Sequence, residues 1–159
     1  MLKPATAVRK VLFLCTANYY RSRFAEYLFN HVAEHEGVYW RAESRGLGVG
    51  LWGNIGPISR YTVERLEALG IEPADLRRSP QQVTATDFEE ADLVVAVKEA
   101  EHRPMMVALF SDWHDRIEYW AIDDLDCAEP HEALPLLECQ IHTLVDRLSR
   151  QSPRSNGDG

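Results

Sequence analysis

Cys15 and Arg21 are separated by five residues in VLFLCTANYYRSRFAE, a stretch covering residues 11–26 that passes from an apolar segment through a short polar loop into a helical pattern. A loop of that length can curl its backbone N–H groups around an anion while the guanidinium closes the ring with two parallel donors. The ligand such a ring fits is phosphate-like, held by Thr16, Ala17, Asn18, Tyr19, Tyr20, Arg21 and Ser22. A helix starting near Arg21 adds its positive end, which stabilises both a bound dianion and a cysteine thiolate. Ser22 can donate its hydroxyl to the same sulfur. A thiolate beneath a bound phosphoryl group is placed for in-line attack on phosphorus, giving a phosphocysteine intermediate, and the reaction then needs an acid for the leaving oxygen. The competing reading, a small buried cysteine closing a strand, requires no polar loop, arginine and helix start in that order.

The elements that must position this loop alternate. Val11 to Leu14 form a short apolar run suited to a buried parallel strand, and Arg21 to about Glu36 carry Ala25, Leu28, Phe29 and Val32 at helical spacing. Val38, Trp40 and Ala42 alternate with polar neighbours as in a strand, and the glycine-rich SRGLGVGLWGNIGP reads as a long loop and a candidate binding wall. A helix follows over Ile58 to Leu69, closed by Gly70, and Thr86 with Glu89 offers a capping box. Then come an apolar strand Leu93 to Val97, a helix around Glu101 to Phe110, a strand near Ile117 to Trp120 and a last helix from about Glu132 to Arg150. The pattern predicts a single three-layer α/β domain over residues 1–150, with a mostly parallel four-stranded sheet flanked by helices and ligands bound beyond the carboxyl ends of the strands. Residues 151–159, QSPRSNGDG, read as a disordered tail.

Composition agrees with one globular unit: 159 residues, 45% hydrophobic and 26% charged. A formal net charge of -8 disfavours a broad contact surface for nucleic acid while leaving room for a local anion site. The amino-terminal MLKPATAVRK is followed by only four strongly apolar residues before Cys15, too few for a signal segment or a membrane span. With three cysteines and no C-x-x-C pair, the expectation is a cytoplasmic protein with free thiols.

VLFLCTANYYRS resembles the phosphate loop of the low-molecular-weight protein tyrosine phosphatases, an N-terminal strand followed by C-x-G-N-x-x-R-S. The likeness extends over most of the chain: ESRG, with Ser44, is similar to the family's S-A-G stretch, and YWAIDDLD resembles its late W-x-[IV]-x-D-P segment. The resemblance implies a metal-free phosphomonoester hydrolase acting on a phosphotyrosine protein or small aryl phosphate, with Cys15 as nucleophile, Arg21 as phosphate ligand and Asp124 as general acid. It also implies that Asn18 adopts a left-handed conformation held by Ser22 and Ser44. Of the other carboxylates in DDLD, Asp123 alternates to the opposite side of an extended segment, and Asp126 serves only if the loop is shifted by two residues.

Four departures from the pattern stand out. Ala17 replaces a glycine, Leu125 replaces the proline after the acid, and the aromatic pair beyond it gives way to Asp126 and Cys127. Tyr20 stands where many relatives carry a second cysteine for reversible oxidation. Tyr19 and Trp52 are left as candidate aromatic walls for the substrate, and Cys127 is the other cysteine that the resemblance brings toward Cys15. HVAEH, residues 31–35, matches a zinc-peptidase pattern but also an ordinary solvated helix face, and KEAEHRP, residues 98–104, reads as a charged first turn that borders a strand end. Two alternative functions share the loop: a thiol-linked arsenate reductase, which needs further cysteines, and a silent phosphate-binding module, which needs neither Cys15 nor an acid.

Overall fold

The computed structural model describes residues 7–51 and 53–151. Side chains alternate along β1 (Arg9–Cys15): Val11, Phe13 and Cys15 enter one apolar cluster and Leu12 and Leu14 another. All five are buried, so the strand lies inside a sheet covered on both faces. β2 (Trp40–Gly46), β3 (Leu93–Ala96) and β4 (Glu118–Tyr119) complete an all-parallel sheet in the order β2-β1-β3-β4. On the Phe13 face lie α1 (Arg21–Glu36), α2 (Arg60–Ala68) and α5 (Pro130–Gln151), whose Phe29, Leu66, Leu137 and Ile141 fill the larger cluster. Phe13 meets Phe29 edge-on, with ring centroids 5.9 Å apart, and Trp120 at 5.8 Å. α3 (Ala85–Glu90) and α4 (Glu99–Leu109) cover the other face through Phe88 and Met106.

This arrangement determines where a ligand can bind. The chain leaves β1 toward β2 on one side and returns to β3 on the other, so the crevice at the strands' carboxyl ends opens between β1 and β3. Cys15 ends β1 at that edge, and the segments leaving β3 and β4 carry Glu101 and Asp124 to it.

Several boundaries differ from the sequence expectation. Gly37 (φ 69°) caps α1 in the left-handed region, and Val38 N–H then bonds the Ala33 carbonyl, so Val38 closes the helix and β2 begins at Trp40. Ser44 belongs to β2, pairing with Phe13, rather than to the loop that follows. The capping box is made by Thr84 and Asp87 instead of Thr86 and Glu89. The cause lies one residue earlier: Val83 N–H bonds the Gly46 carbonyl and its side chain is buried, which holds the chain at the edge of β2 until Thr84. α4 begins at Glu99, so Glu101 is inside its first turn. α2 runs shorter than the spacing suggested, starting after the Ser59 cap, while Gly70 (φ 74°) takes the left-handed position expected of it. Trp52 and tail residues 152–159 lie outside the described residues.

Candidate active site

The loop from Cys15 to Arg21 is fastened by its carbonyls. Leu47 N–H bonds the Cys15 carbonyl at 2.9 Å and Gly48 N–H bonds the Thr16 carbonyl at 2.9 Å. Gly46 is required beneath it, because a Cβ there would stand 2.6 Å from the Thr16 carbonyl oxygen and 3.0 Å from Asn18 N. With the carbonyls committed outward, none of the backbone N–H groups from Thr16 to Tyr20 donates a hydrogen bond among the described residues. α1 follows with no side-chain cap from Tyr20 and no acidic residue in its first turn, which leaves its positive end open as well.

Asn18 locks the loop. It has φ 53°, the only positive value at a non-glycine position among the described residues, so Ala17 needs none of glycine's conformational freedom. Its Nδ2 donates to Ser22 Oγ at 2.9 Å and to Ser44 Oγ at 3.0 Å, and its Oδ1 accepts from Gln81 N at 2.9 Å and Arg78 Nη1 at 3.2 Å. Because Ser22 Oγ accepts from Asn18, its own hydrogen is available to Cys15 Sγ, 2.9 Å away. Ser44 in turn donates to Glu26 Oε1, which also accepts from Arg78 Nη2. Burial pushes the Glu26 carboxyl up, and the Ser44 hydrogen bond and Arg78 charge offset only part of that.

Arg21 is buried and held at one end of its fork. Nη1 donates to the Ile122 carbonyl and Nη2 to Glu101 Oε2, each at 2.9 Å, while Asp124 Oδ2 lies 3.4 Å from Nη2. Nε has no partner. Burial alone disfavours its charge, but Cys15, Glu101 and Asp124 together raise its pKa further above the ordinary arginine value.

A second carboxylate assembly sits behind Arg21. Glu101 Oε2 accepts from Thr16 Oγ1 as well as Arg21 and lies 3.2 Å from His102 Nε2. Lys98 N–H donates to His102 Nδ1, so Nε2 carries the ring's hydrogen and points it at Thr16 and Glu101. Burial lowers the His102 pKa against the opposing pull of Glu101, so the ring is neutral near pH 7. Burial raises the Glu101 pKa, yet hydrogen bonds from His102, Arg21 and Thr16 outweigh it and hold the carboxyl well below the usual range.

A cleft of about 210 Å³ opens above the loop, lined by Cys15, Ala17, Tyr19, Tyr20, Arg21, Asn54, Asp124 and Leu125. Tyr19 forms a wall and donates its hydroxyl to the Ile55 carbonyl, which ties the 50s segment to the loop. Tyr20 fills the position beside Arg21 with a buried hydroxyl that lacks a partner among the described residues; burial and the nearby Asp124 charge push its pKa up to about 12. Of the three late carboxylates, Asp124 alone lines the cleft: Asp123 pairs with Lys98 at 2.8 Å and Asp126 is exposed. Cys127 is also exposed, with Lys98 Nζ 3.6 Å from its sulfur.

The sequence reading brought Cys15, Thr16 to Ser22, Ser44 and Asp124 to this crevice, and the structure assembles them there. It missed Glu26, Arg78, Glu101 and His102. The last two lay in the charged turn after the third strand, where position at a strand's carboxyl end was the available signal. The rings of His31 and His35 meet at a tilt with centroids 4.4 Å apart, His31 half-buried and His35 exposed on α1.

Residues 10–153 match the family model for low molecular weight phosphotyrosine protein phosphatases. The chain is 30% identical over 107 residues to the protein-arginine-phosphatase of Bacillus subtilis strain 168, a match spanning 67% of each chain. Among solved structures it superposes on a low molecular weight protein tyrosine phosphatase from T. tengcongensis with a TM-score of 0.71 at 25% identity, covering 90% of this chain and 99% of that one. It also superposes on the arginine phosphatase YwlE of Bacillus subtilis, captured with a phosphorylated active-site serine, with a TM-score of 0.74 at 23% identity over 89% of this chain and 97% of that one.

Proposed function

Since the chain belongs to the low molecular weight phosphotyrosine protein phosphatase family and is a cysteine-dependent phosphatase, we propose that it hydrolyses aryl phosphomonoesters through Cys15, Arg21 and Asp124. One observation carries the assignment of residues: among the described residues the N–H groups from Thr16 to Tyr20 and the Arg21 Nε have no partner, and the loop that carries them lines the cleft together with Cys15. A phosphoryl group bound there accepts these donors through its three non-bridging oxygens, and the open end of α1 adds to the field. Cys15, its thiolate stabilised by the Ser22 hydroxyl, attacks phosphorus in line; the S–P bond forms as the P–O bond breaks. Asp124 gives its proton to the leaving oxygen, then takes one from the water that attacks the phosphocysteine as the S–P bond breaks, releasing inorganic phosphate and restoring the thiolate. Thiol chemistry of this kind needs a reducing compartment, which fits the free cysteines and a cytoplasmic location. Among the described residues no helix is long and apolar enough to cross a membrane.

The walls favour phosphotyrosine. Tyr19, Tyr20 and Leu125 present apolar surface around the mouth, suited to a flat aromatic leaving group. A second reading, phosphoarginine, is favoured by the 30% identity to a protein-arginine-phosphatase. Asp124 is the one carboxylate in the cleft lining, so a guanidinium leaving group finds a single counter-charge there. A panel of phosphotyrosyl and phosphoarginyl peptides of matched sequence separates the two. The aryl reading expects at least tenfold higher kcat/KM on phosphotyrosine, and a reversed ratio moves the assignment to phosphoarginine.

A further inference from the structure

Glu101 does not line the cleft, yet it bonds the residue that closes it. Three donors converge on its Oε2: Arg21 Nη2 at 2.9 Å, the Thr16 hydroxyl, and His102 Nε2 at 3.2 Å. Asp124 reaches the same arginine nitrogen at 3.4 Å. Arg21 therefore serves two carboxylates before any phosphate arrives, and its charge is divided between a structural anion and the cleft. We propose that Glu101 is a positioning residue acting through Arg21 as a charge counterweight, weakening the loop's hold on inorganic phosphate and leaving Asp124 free to take up a proton.

Both halves follow from the sign of one charge. A phosphate dianion beside Arg21 is repelled by Glu101, so the loop binds product less tightly than its donor count alone allows. Without Glu101 the guanidinium would serve Asp124 alone, and an acid held as a carboxylate by a full positive charge resists protonation. Of the other titratable groups nearby, His102 is buried and neutral, Lys98 is paired with Asp123, the Tyr20 hydroxyl is pushed up to about 12 by burial and Asp124, and Cys15 adds to the negative charge that Arg21 meets. Binding geometry need not change when the charge is removed. Among the described residues the contacts of Glu101 fall on Oε2, so an amide oxygen can replace it in Glu101→Gln while the NH₂ group takes the place of Oε1.

This inference rests on the proposed roles of Arg21 and Asp124, and its test separates the two levels. Calorimetry measures the dissociation constant of inorganic phosphate, and the pH profile of kcat/KM on an aryl phosphate measures the basic limb. For Glu101→Gln and Glu101→Ala, phosphate is expected to bind roughly three- to tenfold tighter. The basic limb is expected to move to lower pH by about half a unit to one unit. A purely structural role predicts the opposite: weaker phosphate binding, a lower Tm and an unmoved limb. If Glu101→Ala fails to fold, the near-isosteric Glu101→Gln decides alone. Phosphate binding unchanged or weakened in Glu101→Gln, or a limb that stays in place, overturns the counterweight. Asp124→Asn and Arg21→Ala are the controls on the parent reading. Should Asp124→Asn keep the basic limb, the acid assignment fails and the phosphate measurement alone decides the role of Glu101. Should Arg21→Ala bind phosphate undiminished, the parent reading and this inference fall together.

Discussion

Replacing Asn18 by alanine should destabilise the fold by about 3.5–7 kcal/mol and replacing it by glycine by about 1 kcal/mol less. The figure follows from what the side chain does. Asn18 makes four hydrogen bonds, two as donor to Ser22 and Ser44 and two as acceptor from Gln81 N and Arg78. Arg78 keeps Glu26 and the serines keep other partners, so the Gln81 N–H is the group most clearly orphaned, at about 1–3 kcal/mol. The three lost bonds that leave compensated partners add about 0.5–1 kcal/mol each. Alanine at φ 53° then carries a further cost of about 1 kcal/mol that glycine escapes. Urea denaturation of both variants measures the total and the difference, provided the m-values match the parent. Activity on an aryl phosphate should fall in both, because Ser22 loses the donor that leaves its hydrogen for Cys15. Equal stability of the two variants would refute the left-handed argument, and a loss below about 1 kcal/mol in both would refute the network argument.

Three further predictions concern the acid, pH and oxidation. Asp124→Asn should slow phenyl and alkyl phosphates strongly and nitrophenyl phosphate less, since a basic leaving oxygen needs its proton most; a steepened leaving-group dependence in Asp126→Asn instead would transfer the role to Asp126. Stability should decline as the pH falls below about 6.5, because the unfolded chain protonates its histidine there while buried His102 stays neutral, with its pKa lowered. His102→Asn should flatten this stretch in pH-dependent denaturation curves. Glu101, held well below the usual carboxylate range, adds a separate loss only below about pH 4.3, and an unchanged slope in His102→Asn would discredit the assignment. If the segment from Asp124 to Cys127 folds over the loop, as the family resemblance implies, mild peroxide traps a disulfide between Cys15 and the exposed Cys127. Peptide mapping that finds over-oxidised Cys15 with free Cys127 would rule the pair out.

The parts of the site that the sequence displayed are those written locally. Cys15, Arg21 and Ser22 belong to one loop and one helix turn, and the unbroken apolar run from Val11 to Leu14 predicted the buried parallel strand β1. The late Asp124 was legible through the segment it shares with Trp120. What stayed hidden are contacts that only tertiary structure brings together: Arg78 reaches Asn18 across 60 positions and Glu101 reaches Arg21 across 80. Nothing in a charged helix start distinguishes a buried carboxylate from a solvated one, because the arginine it meets leaves no local trace. The misplaced capping box has the same origin. Thr84 and Thr86 offer nearly equivalent triplets, and the choice was made by Val83 binding the edge of β2.

The central claim is that the phosphoryl group passes through the Cys15 sulfur. Rapid acid quench of the protein turning over an aryl phosphate, followed by peptide mass analysis, tests it most directly. The account predicts one added phosphoryl group on the peptide containing Cys15, accumulating further in Asp124→Asn when the leaving group is nitrophenol, and no turnover in Cys15→Ser. A phosphoryl group on another residue, or hydrolysis by Cys15→Ser above a trace, would contradict it.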